Sequence, residues 1–257
     1  MADTNFDVLI IGAGPGGYVT AIRAAQLGFK TAIIEREHLG GICLNWGCIP
    51  TKALLKSALV YDYLKHSKAY GISADNIQHD FNGVIGRSRG VADKMSKGVQ
   101  FLMKKNKIDV VMGYGKIKAK GQIEVTAADG SKQVVEGKHI IIATGGRAKQ
   151  LPNLPVDGKK IVSYREAMVL PQQPKSMIVV GSGAIGVEFA YFYNSMGTKV
   201  TIVEFLPRVV PVEDEDISKE LEKQLDDQKK LADEMRRKSE QGSMQLQGEV
   251  QELALEE

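Results

Sequence analysis

The sequence predicts an α/β fold, and three observations carry the prediction. An apolar strand at the start of residues 6–35 runs into a Gly-x-Gly-x-x-Gly turn and a helix-compatible segment, the same pattern returns at residues 175–204, and each copy closes on a glutamate. Each copy is therefore a strand–helix–strand unit of the Rossmann-like kind. Two such domains are expected, one over residues 1–149 and a second, partial one over 150–225, followed by a helical tail over 226–257.

The first copy reads "FDVLIIGAGPGGYVTAIRAAQLGFKTAIIE". Gly12 allows a tight turn, Gly14 lets backbone approach a pyrophosphate, and Gly17 lets the helix pack close to the strand. The phosphates of a dinucleotide then face the positive end of that helix. Glu35 closes the second strand, where a carboxylate can accept both hydroxyls of an adenosine ribose.

The stretch "GGICLNWGCIPTKALL" at residues 40–55 follows, with the chain's only two cysteines, Cys43 and Cys48. In a reducing compartment such a pair is catalytic, metal-binding or incidental sooner than a structural bridge. The chain has four histidines and two cysteines in no zinc-binding spacing, which argues against zinc, and no metal site is expected. Residues 53–105 look mostly helical, with Gly71 and the segment "GRSRG" as breaks. Short strands punctuated by Gly and Asp-Gly turns then lead to a strand expected to be buried, "HIIIATG", and the Pro-containing passage at 150–160 marks the boundary between the halves.

The second copy places Gly181, Gly183 and Gly186 after an apolar strand and Glu204 at the end of the next one. Its interval from last glycine to acid matches that from Gly17 to Glu35, so two dinucleotide sites are expected in one chain. A terminal glutamate repels the 2′-phosphate of NADP and suits NAD, while nearby Arg208 pulls slightly the other way.

Composition narrows the partners. The 257 residues are 43% apolar and 25% charged with a net charge of +3, and Lys and Arg are dispersed, so neither nucleic acid nor membrane is implied. The start "MADTNFD" is polar, and the apolar run "VLII" after it is too short for a signal segment or a span, so a cytoplasmic location is expected.

With two dinucleotide units and a Cys-x4-Cys in the first, the chain resembles the pyridine nucleotide-disulfide oxidoreductases, and among them the dihydrolipoamide dehydrogenase branch. The motifs that carry the resemblance are "GAGPGGY", "GGICLNWGCIPTKALL", "ATGG", "GSGAIGVEFA" and "VEDEDISKELEKQL", within residues 6 to about 225. It implies FAD and NAD as cofactors, with dihydrolipoamide reducing an enzyme disulfide, the dithiol reducing FAD, and the flavin passing a hydride to NAD. It also implies that Cys43 is the interchange thiol facing the substrate and Cys48 the thiol lying against the flavin. A thiolate near a helix start is stabilised by the local positive end, and a pair so spaced can come within disulfide range; two unlinked thiols are the plainer alternative. Lys52 would reach toward the flavin N5 edge, Glu188 would pair with it where the nicotinamide stacks, and Gly115, Thr144 and Gly145 would contact FAD through backbone and side chain. Trp46 departs from the commoner Val of the branch and Thr51 from the commoner Ser.

The implied partners are dihydrolipoamide, carried on the lipoyl domain of a 2-oxoacid dehydrogenase complex, and a second copy of the chain in a homodimer. Family members are longer, and a His and Glu pair from the partner subunit serves there as the proton acceptor. The chain is therefore expected to be nearly inactive with dihydrolipoamide alone, since losing a general base costs on the order of 10² to 10⁴ in rate. The rival expectations are a non-catalytic dinucleotide-binding module and a glutathione or mercuric reductase of the same superfamily. Beyond Leu225 strand patterning ends, and Leu231, Met235, Leu246, Val250 and Leu253 keep a partial helical stripe broken near Gly242. The expected reading of this tail is a solvated helix sooner than a coiled coil, its last part being similar to a helical segment of an unrelated coiled-coil family.

Overall fold

A computed structural model describes residues 5–226, and the tail expected over 226–257 lies, apart from its first residue, outside the described residues. The described residues divide into two units: one runs through Ser176 and takes in Tyr191–Lys199, the other comprises Met177–Ala190 and the described residues from Val200 onward.

In the first unit β1 (Asn5–Ile11), α1 (Pro15–Gln26) and β2 (Thr31–Glu35) form the expected strand–helix–strand. Val8 and Ile10 join one apolar cluster with Ala21 and Ala24 of α1, while Leu9 and Ile11 join another with Ala32 and Ile34. A parallel strand buried on both faces needs such a continuous apolar run. Pro15 opens α1, where its fixed φ suits the first helical turn and its missing N–H costs nothing.

Two helices then carry the cysteines, the short α2 (Gly41–Asn45) and α3 (Cys48–Lys65). A 3-10 turn over Ser67–Tyr70 ends at Gly71, whose φ of 69° makes the expected break. The second expected break is absent: "GRSRG" lies inside α4 (Phe81–Lys105), which runs 25 residues. Buried Phe81, Ile85, Ser88, Ala92, Ser96, Val99 and Met103 continue at three- and four-residue spacing straight through that segment. One continuous packed face outweighs the cost of about 1 kcal/mol that each interior glycine imposes.

The strands β3 (Asp109–Met112), β4 (Tyr114–Ala119), β5 (Gln122–Thr126) and β6 (Lys132–Ile142) complete a six-stranded sheet of order β3-β2-β1-β6-β5-β4. β1 pairs in parallel with β2 and β6, and β2 with β3, whereas β4 and β5 are antiparallel to their neighbours. The eleven residues of β6 serve two partners, β5 up to Glu136 and β1 from Glu136 onward. Ile123 and Val125 of β5 pack with Leu9, Ile11 and Ile34. The β4–β5 hairpin thus covers the sheet face opposite α1.

The strand expected at "HIIIATG" is the end of β6, which stops at Ile142, and it is not buried: Ile141 and Ile142 are 37% and 65% exposed. Beyond Glu136, β5 no longer flanks β6, so this end pairs on the β1 side alone. A short helix α5 (Tyr164–Ala167) follows, started by a reciprocal cap between Ser163 and Glu166.

The second unit is built on β7 (Ser176–Val180), the first part of α6 (Ala184–Ser195), and β8 (Lys199–Val203), with a further helical stretch over 215–226. β7 and β8 are hydrogen-bonded neighbours in a two-stranded sheet.

Candidate functional site

The first glycine turn sits between the end of β1 and the start of α1. Gly12 has φ 100°, and a methyl group on it would come 2.3 Å from the carbonyl oxygen of Ala143 at the end of β6. A methyl on Gly17 would lie 1.8 Å from the Gly12 carbonyl oxygen, so the close packing of helix on turn requires glycine there. Gly14 differs: it caps α1 in an extended conformation (φ −69°), and a methyl would meet nothing nearer than Gly41 Cα at 3.9 Å. Protein packing does not explain Gly14, whereas a phosphate drawn to the α1 amides does.

In front of this turn lies a cavity of about 920 Å³, lined by Gly12, Gly14, Glu35, Cys43, Thr144 and Gly145 together with the cations Arg147, Lys149 and Arg165. That volume suits a ligand of dinucleotide size. The glycine turn, the helix start and the cations in the wall fit a diphosphate-bridged cofactor.

Glu35 ends β2 with a second task that the sequence reading missed. One of its oxygens accepts the Ala13 N–H at 2.8 Å, and the other accepts the N–H groups of Arg36 and Glu37, each at 2.8 Å. Three of the carboxylate's roughly four acceptor positions are therefore used to hold the glycine turn and the chain leaving β2.

The second unit repeats the device. Gly181 has φ 103°, a methyl on Gly186 would lie 2.2 Å from the Gly181 carbonyl oxygen, and a methyl on Gly183 would meet nothing within 4 Å. Glu204 reaches back 22 residues to accept from the Ser182 N–H at 2.7 Å and the Ser182 hydroxyl at 2.8 Å, as Glu35 reaches back 22 residues to Ala13. The Leu206 and Ser182 N–H groups and the Ser182 hydroxyl hold the Glu204 carboxyl well below the usual range, at about 2. Arg208 donates to the carbonyl oxygens of Pro211 and Glu213 at 3.1 and 3.4 Å, which engages the cation that sequence alone set against NAD.

The two cysteines are brought together. Cys43 lies in α2 and Cys48 is the first residue of α3, and both are free thiols within hydrogen-bonding reach of each other. Burial pushes the Cys43 thiol up to about 11, and the neighbouring Cys48 adds to the rise. Cys43 is thus held as the neutral thiol at neutral pH. Lys52 follows Cys48 by four residues on α3, hence on the same helix face, and is exposed. Glu188 lies half-buried on α6 in the second unit. Gly115 lies on β4, where a methyl would meet Ile34 at 3.1 Å and Ile123 at 3.4 Å; it faces the core and is not among the residues of the cavity wall.

Other residues at the site carry no signal at short range. The guanidinium of Arg165 pairs with Glu37 at 2.9 Å, tying the segment around α5 to the end of β2. Asn45 donates to the carbonyl oxygens of Leu39 and Gly41 at 3.1 and 2.9 Å, and Arg89 donates to the Asn45 carbonyl oxygen at 2.8 Å. The Ser163–Glu166 cap does have a local signature, Ser-x-x-Glu, that the sequence reading passed over.

Comparison with known proteins agrees with this geometry. A family model described as pyridine nucleotide-disulphide oxidoreductase matches residues 6–240. Dihydrolipoyl dehydrogenase of Rhizobium etli is 53% identical over 239 residues, covering 86% of this chain and 49% of that protein. Dihydrolipoyl dehydrogenase of Zymomonas mobilis is 51% identical over 218 residues, covering 85% of this chain and 47% of that protein. Among solved structures, LpdA from Mycobacterium tuberculosis superposes with a TM-score of 0.77 at 27% identity, over 86% of this chain and 50% of its own. The HOCl-induced flavoprotein disulfide reductase RclA from Escherichia coli gives 0.74 at 28% identity, over 88% of this chain and 48% of its own. The chain spans about half the length of the curated relatives it matches.

Proposed function

Because the chain belongs to the pyridine nucleotide-disulphide oxidoreductase family, we propose that it carries the electron relay of a dihydrolipoamide dehydrogenase, with FAD in the cavity of the first unit and NAD on the glycine turn of the second. The observation that carries this reading is the Cys43–Cys48 pair, with Cys43 in the wall of a dinucleotide-sized cavity. When bound, the flavin supplies a two-electron exchange between a dithiol and a nicotinamide.

The chain's own residues bind and orient. The first-turn amides of α1, with Arg147 and Lys149, hold the diphosphate. Cys48 is the first residue of α3, beside Cys43, whose thiol burial and the neighbouring Cys48 push up. Lys52 brings a cation to the same face of α3 as Cys48, and Glu188 lies on α6 beside the glycine turn of the second unit. Thr144 and Gly145 line the cavity beside the glycine turn, in keeping with contacts to FAD. Glu204 favours NAD over NADP, since its carboxylate repels a 2′-phosphate and Arg208 is engaged elsewhere.

Dihydrolipoamide, presented on a lipoyl domain, is the proposed reductant. Its two thiols give up two electrons and two protons as the Cys43–Cys48 disulfide opens to two thiols. A homodimer and a cytoplasmic setting belong to the same proposal.

The test loads the chain with FAD, oxidises the cysteines, removes unbound flavin and adds NADH without oxygen. The expected result is that NADH and one proton convert the disulfide to two thiols, counted by alkylation and mass, only when FAD is present and much faster than NADPH does. A chain that retains FAD but never exposes two alkylatable thiols on adding NADH is a binding module, and the relay is refuted.

A further inference from the structure

Among the described residues, two of the three buried side-chain atoms that lack a hydrogen-bond partner, Trp46 Nε1 and Arg89 Nε, belong to residues in one contact, and the third, Ser88 Oγ, precedes Arg89. Burying such atoms is unfavourable, so a contact that keeps two of them together calls for a reason. The contact lies against the segment that separates the two cysteines. We propose that Arg89 is a positioning residue for the Cys43–Cys48 couple, pinning the four residues between the cysteines to α4 and thereby favouring the disulfide over the dithiol. The proposal rests on the dithiol reading above and goes beyond it.

The pin has three points. Arg89 donates to the Asn45 carbonyl oxygen at 2.8 Å. Its guanidinium carbon stands 4.7 Å from the centroid of the Trp46 ring. The Asn45 side chain fastens the other side of the segment to Leu39 and Gly41. Arg89 projects from a helix whose own buried face fixes it in the core, so the segment is tied to a rigid post.

The role is mechanical more than electrostatic. The Cys43 thiol is set by burial and by Cys48, with no contribution from Arg89. Closing the disulfide depends on how often one sulfur meets the other, which is the effective concentration of one thiol at its partner. With the pin in place the two thiols stand within hydrogen-bonding reach of each other, so holding the middle of the loop keeps that concentration high. In balance, the disulfide plus two thiols of a small dithiol give two cysteine thiols and the oxidised small molecule, with two electrons and two protons transferred.

Arg87, two residues earlier on the same helix, provides the control. It ties α4 to α3 through the Ala53 carbonyl oxygen at 2.7 Å and the Ser57 hydroxyl at 3.2 Å, outside the segment between the cysteines. A merely structural role for α4 arginines would move both variants alike.

The experiment equilibrates the full 257-residue chain with mixtures of oxidised and reduced dithiothreitol and counts cysteine thiols by alkylation and mass. Arg89→Met is expected to shift the disulfide–dithiol equilibrium about tenfold toward the dithiol, equivalent to about 30 mV for two electrons, and Arg87→Met to leave it unchanged. A shift below threefold in Arg89→Met, or an equal shift in Arg87→Met, overturns the proposal. If Arg89→Met fails to fold, Trp46→Leu, which removes the platform under the guanidinium, is judged by the same threshold. A wild-type chain that forms no disulfide in any mixture sinks the dithiol reading itself, which is distinguishable from a wild-type midpoint that Arg89→Met does not move.

Discussion

Gly14 and Gly17 occupy one turn, yet they are glycine for different reasons. A methyl on Gly17 would collide with the Gly12 carbonyl oxygen, whereas a methyl on Gly14 would enter open cavity. Gly17→Ala is therefore expected to destabilise the chain by about 2 kcal/mol or more in urea unfolding, while Gly14→Ala stays within about 0.5 kcal/mol of the parent. The same Gly14→Ala chain should lose FAD affinity by tenfold or more, about 1.4 kcal/mol, in a titration followed by flavin fluorescence. Unchanged FAD affinity in Gly14→Ala would mean that the phosphates approach elsewhere. The spacing in the sequence identified both glycines but could not separate these causes, because one cause is a neighbouring carbonyl and the other is a ligand.

At the scale of the element, α4 shows how tertiary packing overrides local punctuation. Gly86 and Gly90 look like helix breaks one at a time, but both lie on the exposed side, and the buried face that runs past them is continuous. A methyl on either would meet nothing within 4 Å. Gly86→Ala and Gly90→Ala should each stabilise the chain by about 0.5 to 1 kcal/mol, the usual gain when an interior helical glycine acquires a side chain. Calorimetric melting checks this, and a lowered melting point in either variant would show that the glycine serves a contact at that site. The strand–turn–helix–strand units were legible because their signals are short-range: apolar runs, glycine spacing and a terminal acid. The exposure of Ile141 and Ile142 was not, since it depends on where β5 stops pairing with β6. The grip of Arg89 on Asn45 was equally hidden, because α4 and the cysteine segment meet only in the folded chain.

For the whole molecule, the repeat in the sequence announced two dinucleotide sites, and the structure gives each unit its own glycine turn held by its own glutamate. Each ligand should therefore stabilise the unit that carries its turn. In scanning calorimetry FAD is expected to raise the transition of the first unit and NAD that of the second, each by about 2.7 kcal/mol at a ligand concentration one hundred times its Kd. One transition moved equally by both ligands would mean that the two units unfold as a single cooperative body. The bond from Glu204 to Ser182 also bears on redesign. An engineer who wished to convert the chain to NADP would replace Glu204 with a small or cationic residue, and in doing so would cut the tether that fixes the Ser182 amide and hydroxyl. Coenzyme preference and loop rigidity share one carboxylate here, so a successful exchange requires a second substitution that restores an acceptor for Ser182.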